Sequence, residues 1–441
     1  MYLPDCVRLC LDTLERSGFR GYAVGGCVRD SLLGIAPHDY DLCTDAKPEQ
    51  ICSVFSAHTL VRSGEKHGTV GVVFGKEVIE ITTFRTEGEY KDNRHPDWVE
   101  FVSDIKEDLA RRDFTVNAMA YTPAEGYVDP WGGQEDLDNH ILRAVGDPAT
   151  RFTEDALRIL RGVRFAVRFG LTPDDATREA MFRLADLMKH LARERVFDEL
   201  CKLLPLVTAT DLKYFSPIIT QVIPELADSV DFNQHSPHHA YDVYTHTAFV
   251  VESVPADLTL RWAALLHDVG KPACFTQDET GRGHFKGHAK ISAQMADQIL
   301  HRLKAPTALR ERVVFLVEHH MLPLEPDKRI LRRRLGKYGV DAVYQLLALQ
   351  EADFSSKGTG KPEDGEIFPQ VRRLLDEILS EDACLSVRDL AVNGSDLLDL
   401  GFAPDPKLGQ CLEHLLEQVQ NELIPNEKDI LLQSAKQYMQ L

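Results

Sequence analysis

Apolar positions along the chain fall into two textures. Up to about residue 137, helical and strand-like periods alternate. Residues 3–17 repeat apolar positions at helical spacing and stop at Gly18. Residues 22–26 (YAVGG) and 39–44 (DYDLCT) predict short strands flanking a turn and a short helix. The β-branched runs 69–75 (TVGVVFG) and 77–84 (EVIEITTF), joined through Gly75 and Lys76, predict a hairpin. From about residue 147 the strand signals fade and helices follow one another: 153–170, 173–190, 193–204, 239–254, 257–267, 288–304, 307–320, 328–335, 339–354, 364–380 and 406–422. Segment 355–367, rich in Gly, Lys and acid without periodicity, predicts a linker. The pattern predicts an α/β head at 1–137, a helical neck at 138–205, a helical body at 206–360 and a helical tail at 361–441.

Composition narrows the class. The 441 residues contain no apolar run long enough for a membrane span, and the first residues lack a basic stretch followed by an apolar core. Lys and Arg number 50 against 69 Asp and Glu, a net charge of -19. That excludes a polybasic binder but leaves room for a local basic surface. Nine cysteines are scattered without a C-x-x-C pair, as expected for reduced thiols in a cytoplasmic protein. Nothing in the sequence specifies an oligomeric state.

Chemistry-bearing residues cluster in the head. Gly25 and Gly26, between a strand and a helix, would let backbone N–H groups approach a phosphate, and Arg29 adds positive charge; a simple tight turn reads the same way. Asp39 and Asp41, two apart on an expected strand, would share one face. An exposed acidic edge also explains D-x-D. Together with the Gly-Gly turn, however, the pair suits Mg²⁺, which takes a few carboxylates plus substrate phosphates. Two such ions can activate a hydroxyl and stabilise leaving pyrophosphate. Glu80, on one strand face with Val78 and Thr82, reads either as a third carboxylate or as an exposed strand glutamate.

Five ordered motifs then resemble one family. VGGCVRD with DYDLCT, RRDFTVNAMAY (111–121), DPWGGQEDL (129–137), EDALRILRGVRFA (154–166) and ARERVFDEL (192–200) are similar to those of the class II tRNA nucleotidyltransferases, the bacterial CCA-adding enzymes of the polymerase-β-like superfamily, which share their class with poly(A) polymerases. The resemblance implies an α/β nucleotidyltransferase head with an all-α neck, HD-type body and tail. It implies template-independent addition of CCA to the 3′ end of tRNA from CTP and ATP, with Asp39 and Asp41 as catalytic Mg²⁺ ligands. A-only addition and poly(A) synthesis are the alternatives. In the second motif Arg111 and Arg112 could contact triphosphate or ribose, while Asp113 and Asn117 could cap local turns; the resemblance favours Arg112 as the nucleotide contact. In the third, Asp129, Pro130, Gly132 and Gly133 are expected to form a turn on which Trp131 packs. The family's basic flexible loop corresponds to 84–101, with Arg85, Lys91 and Arg94; its presence favours addition of the terminal A.

The segment 154–169 carries the base-selection expectation. At about 100° per residue, Ile159, Val163, Ala166, Val167, Ala156 and Leu160 share one face; Glu154, Asp155, Arg158, Arg161, Arg164 and Arg168 share the other. Such a charged stripe is either a solvated face or a recognition surface. Cytosine and adenine both present an amino donor beside a ring-nitrogen acceptor. Asp155 can accept from the first and Arg158 donate to the second, and uracil or guanine would leave both unpaired. The resemblance assigns this template role to Asp155 and Arg158, with Arg161 and Arg164 facing triphosphate or RNA phosphates.

A second constellation lies in the body. His246, His267, Asp268, His288, His320 and Asp353 follow the order H…HD…H…H…D, similar to the HD phosphohydrolase superfamily. Imidazole and carboxylate together bind a divalent metal, Ni²⁺, Mn²⁺ or another, whose bound water can attack a phosphoester. The resemblance makes His246, His267, Asp268 and Asp353 the best ligands, with His288 and His320 completing a two-metal version. HD domains in such enzymes are associated with phosphatase, 2′-nucleotidase and 2′,3′-cyclic phosphodiesterase activities. Finally, KRILRRRLGKYG (328–339) is either a tRNA phosphate contact or a salt-bridged helix face.

Overall fold

In the computed structural model, which describes residues 1–87, 99–237, 239–359, 365–381 and 384–439, the head is built on nine short strands. These are β1 Gly21–Val24, β2 Asp41–Thr44, β3 Thr59–Val61, β4 Thr69–Phe74, β5 Glu77–Thr83, β6 Arg85–Glu87, β7 Val99–Phe101, β8 Ala120–Thr122 and β9 Gly126–Val128. Seven form one sheet in the order β3-β4-β5-β2-β1-β8-β9. β2 and β5 pair in parallel and the other neighbours antiparallel. The expected hairpin is β4–β5, turning at Gly75 with φ 64. Alternation buries Val70, Val72, Ile79 and Ile81, while Tyr22, Val24, Cys43 and Phe84 join Leu109 and Ala120 in a core cluster.

Around the sheet lie helices α1 Asp5–Arg16, α2 Gly26–Leu32, α3 Pro48–Val54, α4 Ile105–Ala110 and α5 Gly133–Asp138. The neck follows as α6 Pro148–Glu154, α7 Leu157–Phe169, α8 Asp175–Arg183, the 3-10 turn Ala185–His190 and α9 Arg193–Leu203. The continuous helix expected over 153–170 is therefore broken. Asp155 takes extended dihedrals (φ -141, ψ 101), and its carboxylate accepts the Leu157 N–H at 3.1 Å, so it caps α7 instead of continuing α6. Periodicity cannot register such a stop because the apolar spacing runs through it. The far end is as expected: α7 stops at Gly170, φ 62.

Beyond residue 206 the described chain is almost entirely helical: α10 Ala209–Tyr214, α11 Ser216–Val222, α12 Val243–Ser253, α13 Leu258–Leu266, α14 Lys271–Cys274, α15 His288–Arg302, α16 Thr307–His319, α17 Lys328–Tyr338, α18 Val340–Ser355, α19 Ile367–Ser380, α20 Gly394–Asp399, α21 Pro406–Gln420 and α22 Lys428–Met439. The short helices α10, α11, α14 and α20, and the terminal α22, went beyond the sequence expectation. The tail has its own apolar cluster, in which Val392, Leu397, Cys411, Leu415, Leu431 and Ala435 are buried. No helix among the described residues is long and apolar enough to cross a membrane.

The fold divides into two units, Met1–Leu206 with Tyr214–Pro224, and Val207–Lys213 with Glu225–Leu441. α11 thus returns to the first unit, where it packs on the turn Ala185–His190 and on α8 through buried Ile218, Ile219 and Val222. Of the basic loop 84–101, the flanks pair as an antiparallel ribbon, β6 with β7. Lys91 and Arg94 fall outside the described residues, as does 360–364 of the expected linker.

Candidate functional site

The head carboxylates open onto a cleft of about 710 Å³ lined by residues 37–41 and 76–80 together with Cys6. Asp39 lies in the exposed turn before β2 and Asp41 is the first residue of the strand, so the two do not project from one strand face as expected. Pairing begins only at Asp41, opposite Val24 on β1 and Glu80 on β5. Both nevertheless line the same cleft, and Glu80 joins them because paired residues in register point to one side of a sheet. On its other flank Glu80 faces Gly71, which has no side chain to compete. Although Asp41 reaches solvent in the cleft, the surrounding wall withdraws enough water to raise its carboxyl; Arg112 opposes this and Asp39 adds to it. Three oxygen donors on an open cleft fit a small hard divalent ion that leaves coordination positions for water and substrate phosphates.

While Lys76 lines the cleft itself, Arg112 is a cation near enough to act on Asp41. Its contacts are long, 3.5 Å to the Asn117 carbonyl and 3.5 Å to Asp108, and its buried Nε has no hydrogen-bond partner. Gly25, at φ +73, lets it approach: a Cβ there would stand 2.6 Å from Arg112 Nη1. A Cβ on Gly26, the first residue of α2, would meet only ordinary contact.

Arg29 differs from its expected role. It is buried, donates to Asp30 at 2.6 Å and to the Asn117 side chain, and lies over the Phe169 ring at 4.3 Å. Burial lowers its guanidinium pKa despite Asp30. Arg161 and Arg164 are likewise turned inward. Arg161 grips Asp113 through Nε and Nη2 at 2.9 and 2.7 Å, and Arg164 Nε meets Glu199 of α9 at 2.6 Å. Asn117 donates to Asp113 at 3.0 Å, which closes a chain Asp30–Arg29–Asn117–Asp113–Arg161. Burial pushes the Asp113 carboxyl up, but Arg161 and Asn117 more than offset it and hold it at about 2. Within the charged stripe of 154–169, Arg168 is exposed, but Arg161 and Arg164 are thus not free phosphate contacts. These two are met by acids from 113 and 199 that helical spacing could not reveal.

The pair Asp155 and Arg158 is held apart. Arg158 Nη1 donates to Glu154 at 2.8 Å and Nη2 to the Arg111 carbonyl at 2.9 Å, whereas Asp155 is gripped by Arg195 of α9 at 2.7 Å. The third motif is structural. Asp129 accepts the Gly133 and Gln134 N–H groups, and a Cβ on Gly133 would stand 2.3 Å from the Thr115 carbonyl. Trp131, expected to pack, is 37% exposed.

In the second unit all six expected HD residues converge. His246, His267, Asp268 and Asp353 offer ligand atoms within 4.8 Å of one another, and so do Asp268, His288 and His320, so Asp268 belongs to both groups. Four rings are oriented alike: Nδ1 faces a backbone carbonyl, of Ser356 for His246, Ala264 for His267, Phe285 for His288 and Val317 for His320, at 2.7–3.2 Å. A proton on Nδ1 leaves each Nε2 lone pair aimed inward. His267 Nε2 and Asp268 Oδ1 are buried without a hydrogen bond, while Asp268 Oδ2 lies 2.7 Å from the Lys271 ammonium. Burial pushes His320 down to about 4, so its ring is neutral at neutral pH. Orphaned donors of this kind fit a divalent metal. A cavity of about 320 Å³ opens onto them, lined also by His239, Lys271, Lys286 and Lys357. Sequence reasoning missed these lysines, although Lys271 stands three residues after Asp268 in HDVGK and meets it at 2.7 Å.

Residues 21–143 match the family described as Poly A polymerase head domain, 238–355 the HD domain, and 170–206 the probable RNA and SrmB-binding site of polymerase A. Over 438 residues the chain is 34% identical to a CCA-adding enzyme of Levilactobacillus brevis, covering 98% of each, and over 431 residues 31% identical to one of Streptococcus gordonii, covering 97% and 96%. The chain belongs to the CCA-adding enzymes. A crystal structure of the Bacillus stearothermophilus CCA-adding enzyme in complex with CTP superposes with a TM-score of 0.71 at 26% identity, covering 98% of this chain and 96% of that one. A Thermotoga maritima CCA-adding enzyme complexed with tRNA shares the fold, with a TM-score of 0.60 at 19% identity and 99% and 96% coverage.

Within this CCA-adding family member the basic run 328–339 forms α17, and its charge is matched by the tail. Lys328 meets Glu381 at 2.8 Å and Glu377 at 3.1 Å, and Arg332 pairs with Glu381 and Glu422 at 3.3 and 2.5 Å. A Cβ on Gly336 would stand 2.0 Å from the Leu385 carbonyl, so this helix is docked closely on the tail.

Proposed function

We propose that the chain adds cytidine, cytidine and adenosine to the 3′ end of tRNA from CTP and ATP. The observation that carries this is the meeting of Asp39, Asp41 and Glu80 at one open cleft beside Arg112. The RNA 3′-hydroxyl attacks the α-phosphorus of the nucleotide, a new P–O bond forms, and the bond to pyrophosphate breaks. Mg²⁺ held by the three carboxylates would ease loss of the attacking hydroxyl's proton to solvent and offset the negative charge of the leaving pyrophosphate. Arg112 holds the triphosphate, and Asp155 with Arg158 reads the amino edge that cytosine and adenine share. With no disulfide among the described residues, the nine cysteines suit a cytoplasmic setting. The test is incorporation into tRNAs ending before CCA, after C and after CC. Extension of each to CCA and no further supports the proposal. Extension of the last alone supports A-only addition, and long A tails support a poly(A) polymerase.

A second reading concerns the HD centre: metal-dependent hydrolysis of phosphoesters on RNA ends or nucleotides, with Ni²⁺, Mn²⁺ or a related ion. It is favoured by the orphaned Asp268 and His267 atoms beside a cavity edged with lysines. Hydrolysis of 2′,3′-cyclic AMP in Ni²⁺ or Mn²⁺, lost in Asp268→Ala while CCA synthesis persists, is the expected result. No hydrolysis by a protein that still makes CCA removes the cyclic phosphodiesterase assignment.

A further inference from the structure

The four rings gathered in the HD centre turn Nδ1 to a carbonyl and Nε2 inward. Another imidazole on the same cavity is held the other way round. His284 lines that cavity together with Asp268, His288 and Asp353, and its Nε2 lies 2.7 Å from Asp278 Oδ2. Asp278 is itself fixed. Its Oδ1 accepts the Thr280 N–H at 2.9 Å, the Thr280 hydroxyl at 2.6 Å and the Arg282 N–H at 3.1 Å, which leaves Oδ2 to the ring. With Nε2 committed to a carboxylate, Nδ1 is the atom left to take up or give a proton. Among the described residues no hydrogen bond occupies it.

The hairpin that carries this dyad is tied to the metal centre. It pairs Thr276 with His284 and Gln277 with Gly283, and Gly281 takes φ +83 in its turn. Gly283 donates to the His235 carbonyl at 2.8 Å, and a Cβ on it would stand 2.3 Å from the Gln234 carbonyl, so the strand lies tight on that segment. The Gln234 side chain in turn accepts Lys271 Nζ at 2.9 Å, and Lys271 meets Asp268 at 2.7 Å. Other groups in the cavity are committed. Lys271 and Lys357 pair with Asp268 and Asp353. His239 packs edge-on against His246, ring centroids 5.1 Å apart, and no carboxylate pairs with it among the described residues. His284 therefore combines an uncommitted nitrogen with a carboxylate behind the ring.

We propose that His284, oriented by Asp278, is the general acid of the HD centre and gives its Nδ1 proton to the leaving oxygen of a phosphoester whose leaving group is a ribose hydroxyl. The proposal rests on the reading of this centre as a phosphoester hydrolase. The oxygen of water bonds to phosphorus, and one of its protons passes to solvent. The bond from phosphorus to the ribose oxygen breaks with its electron pair on that oxygen, which takes the Nδ1 proton. Solvent then returns a proton to the ring. A ribose alkoxide leaves poorly without that proton, whereas p-nitrophenolate departs as a stable anion.

The test uses the full chain with Mn²⁺ or Ni²⁺, as wild type, His284→Ala and Asp278→Asn, on 2′,3′-cyclic AMP and on bis(p-nitrophenyl) phosphate. His284→Ala should lower kcat on the cyclic nucleotide about a hundredfold and on the p-nitrophenyl diester far less. Asp278→Asn should show the same selectivity with a smaller loss. Mn²⁺ should still raise the melting temperature of His284→Ala, as it does for wild type. In metal-free protein, ¹⁵N NMR of the histidine rings, assigned by the signal lost in His284→Ala, should place the proton of the neutral His284 ring on Nε2, and Asp278→Asn should move it toward Nδ1. Equal losses on the two diesters, or none on the cyclic nucleotide, overturn the proposal. So does loss of the Mn²⁺ effect in His284→Ala, which would make the ring a prop for the metal site, or a ring signal unmoved by Asp278→Asn. If wild type hydrolyses neither diester in either metal, the hydrolase reading falls and the role of His284 with it. If wild type hydrolyses both and the variants show no leaving-group selectivity, only the role of His284 falls.

Discussion

The head cleft and the HD centre both gather side chains able to hold a divalent ion, yet they are organised in opposite ways. In the head, Asp39, Asp41 and Glu80 stand exposed along an open cleft, and among the described residues no ring or amide orients them through a hydrogen bond. In the HD centre the ligand atoms are buried and gathered, and each imidazole is turned inward by a carbonyl behind it. Among the described residues only the HD groups bring three or more such atoms within 4.8 Å. An open set of carboxylates binds an ion weakly until a triphosphate supplies further oxygens. A closed set with oriented second partners binds it by itself. The first therefore depends on its substrate for assembly, and the second is ready beforehand.

The sharpest way to break this contrast is at Asp41. Asp41→Ala should lower nucleotide incorporation roughly 10³-fold or more while leaving the thermal transition nearly unchanged. A variant with near-normal incorporation would remove the head cleft from the chemistry. Next comes the metal itself. Titration of metal-free protein with Mn²⁺ should stabilise the fold through the HD centre by about 3 kcal/mol at a hundredfold excess over Kd, read as a rise in melting temperature. Asp268→Ala should abolish that rise, and Asp41→Ala should not. Equal loss in both variants would erase the distinction between a prepared and a substrate-completed site.

A smaller effect is expected at Asp113, whose carboxyl is held at about 2 against an ordinary 3.8. Because the folded value is the lower one, its contribution is fully present above about pH 4 and is lost as the pH falls toward 2, about 2 kcal/mol in all. Urea unfolding of wild type and Asp113→Asn from pH 7 down to 2 should show curves that converge at the acid end. The least change belongs to Arg332→Ala on α17. Its ion pairs with partly exposed tail glutamates are worth at most about 1 kcal/mol, and tRNA affinity and its salt slope should stay the same. A reduced slope would restore this helix as an RNA contact.

How far the sequence reached differs between these regions for physical reasons. The HD ligands were legible because each sits at a helix end or on a helix face that apolar spacing marks, and the order of His and Asp is itself specific. Asp39, Asp41 and the Gly25–Gly26 turn were legible because they are local in the chain. Glu80 stayed ambiguous because its place beside Asp41 depends on a parallel register that no local pattern encodes. The inward turning of Arg29, Arg161 and Arg164 was hidden for the same reason. Arg161 and Arg164 meet Asp113 and Glu199, and Arg29 meets Asn117 and Phe169 besides its neighbour Asp30; these come from other elements, and helical spacing sees only one element at a time. The break at Asp155 was missed because a capping carboxylate interrupts the backbone without interrupting the apolar rhythm.

The return of α11 bears on any attempt to take the molecule apart. Severing the chain after Leu206 would look natural on the order of motifs, but it would strip Ile218, Ile219 and Val222 from the first unit. Each large aliphatic lost from such a core costs about 2–5 kcal/mol, enough to turn an autonomous fragment into an aggregating one. A dissection that respects the packing ends at Pro224 and carries 207–213 along as a passenger. The remainder, begun at Glu225, would then be missing the strand of chain it uses to cover Tyr244 and Arg261, whose polar atoms reach the carbonyls of Leu212 and Val207.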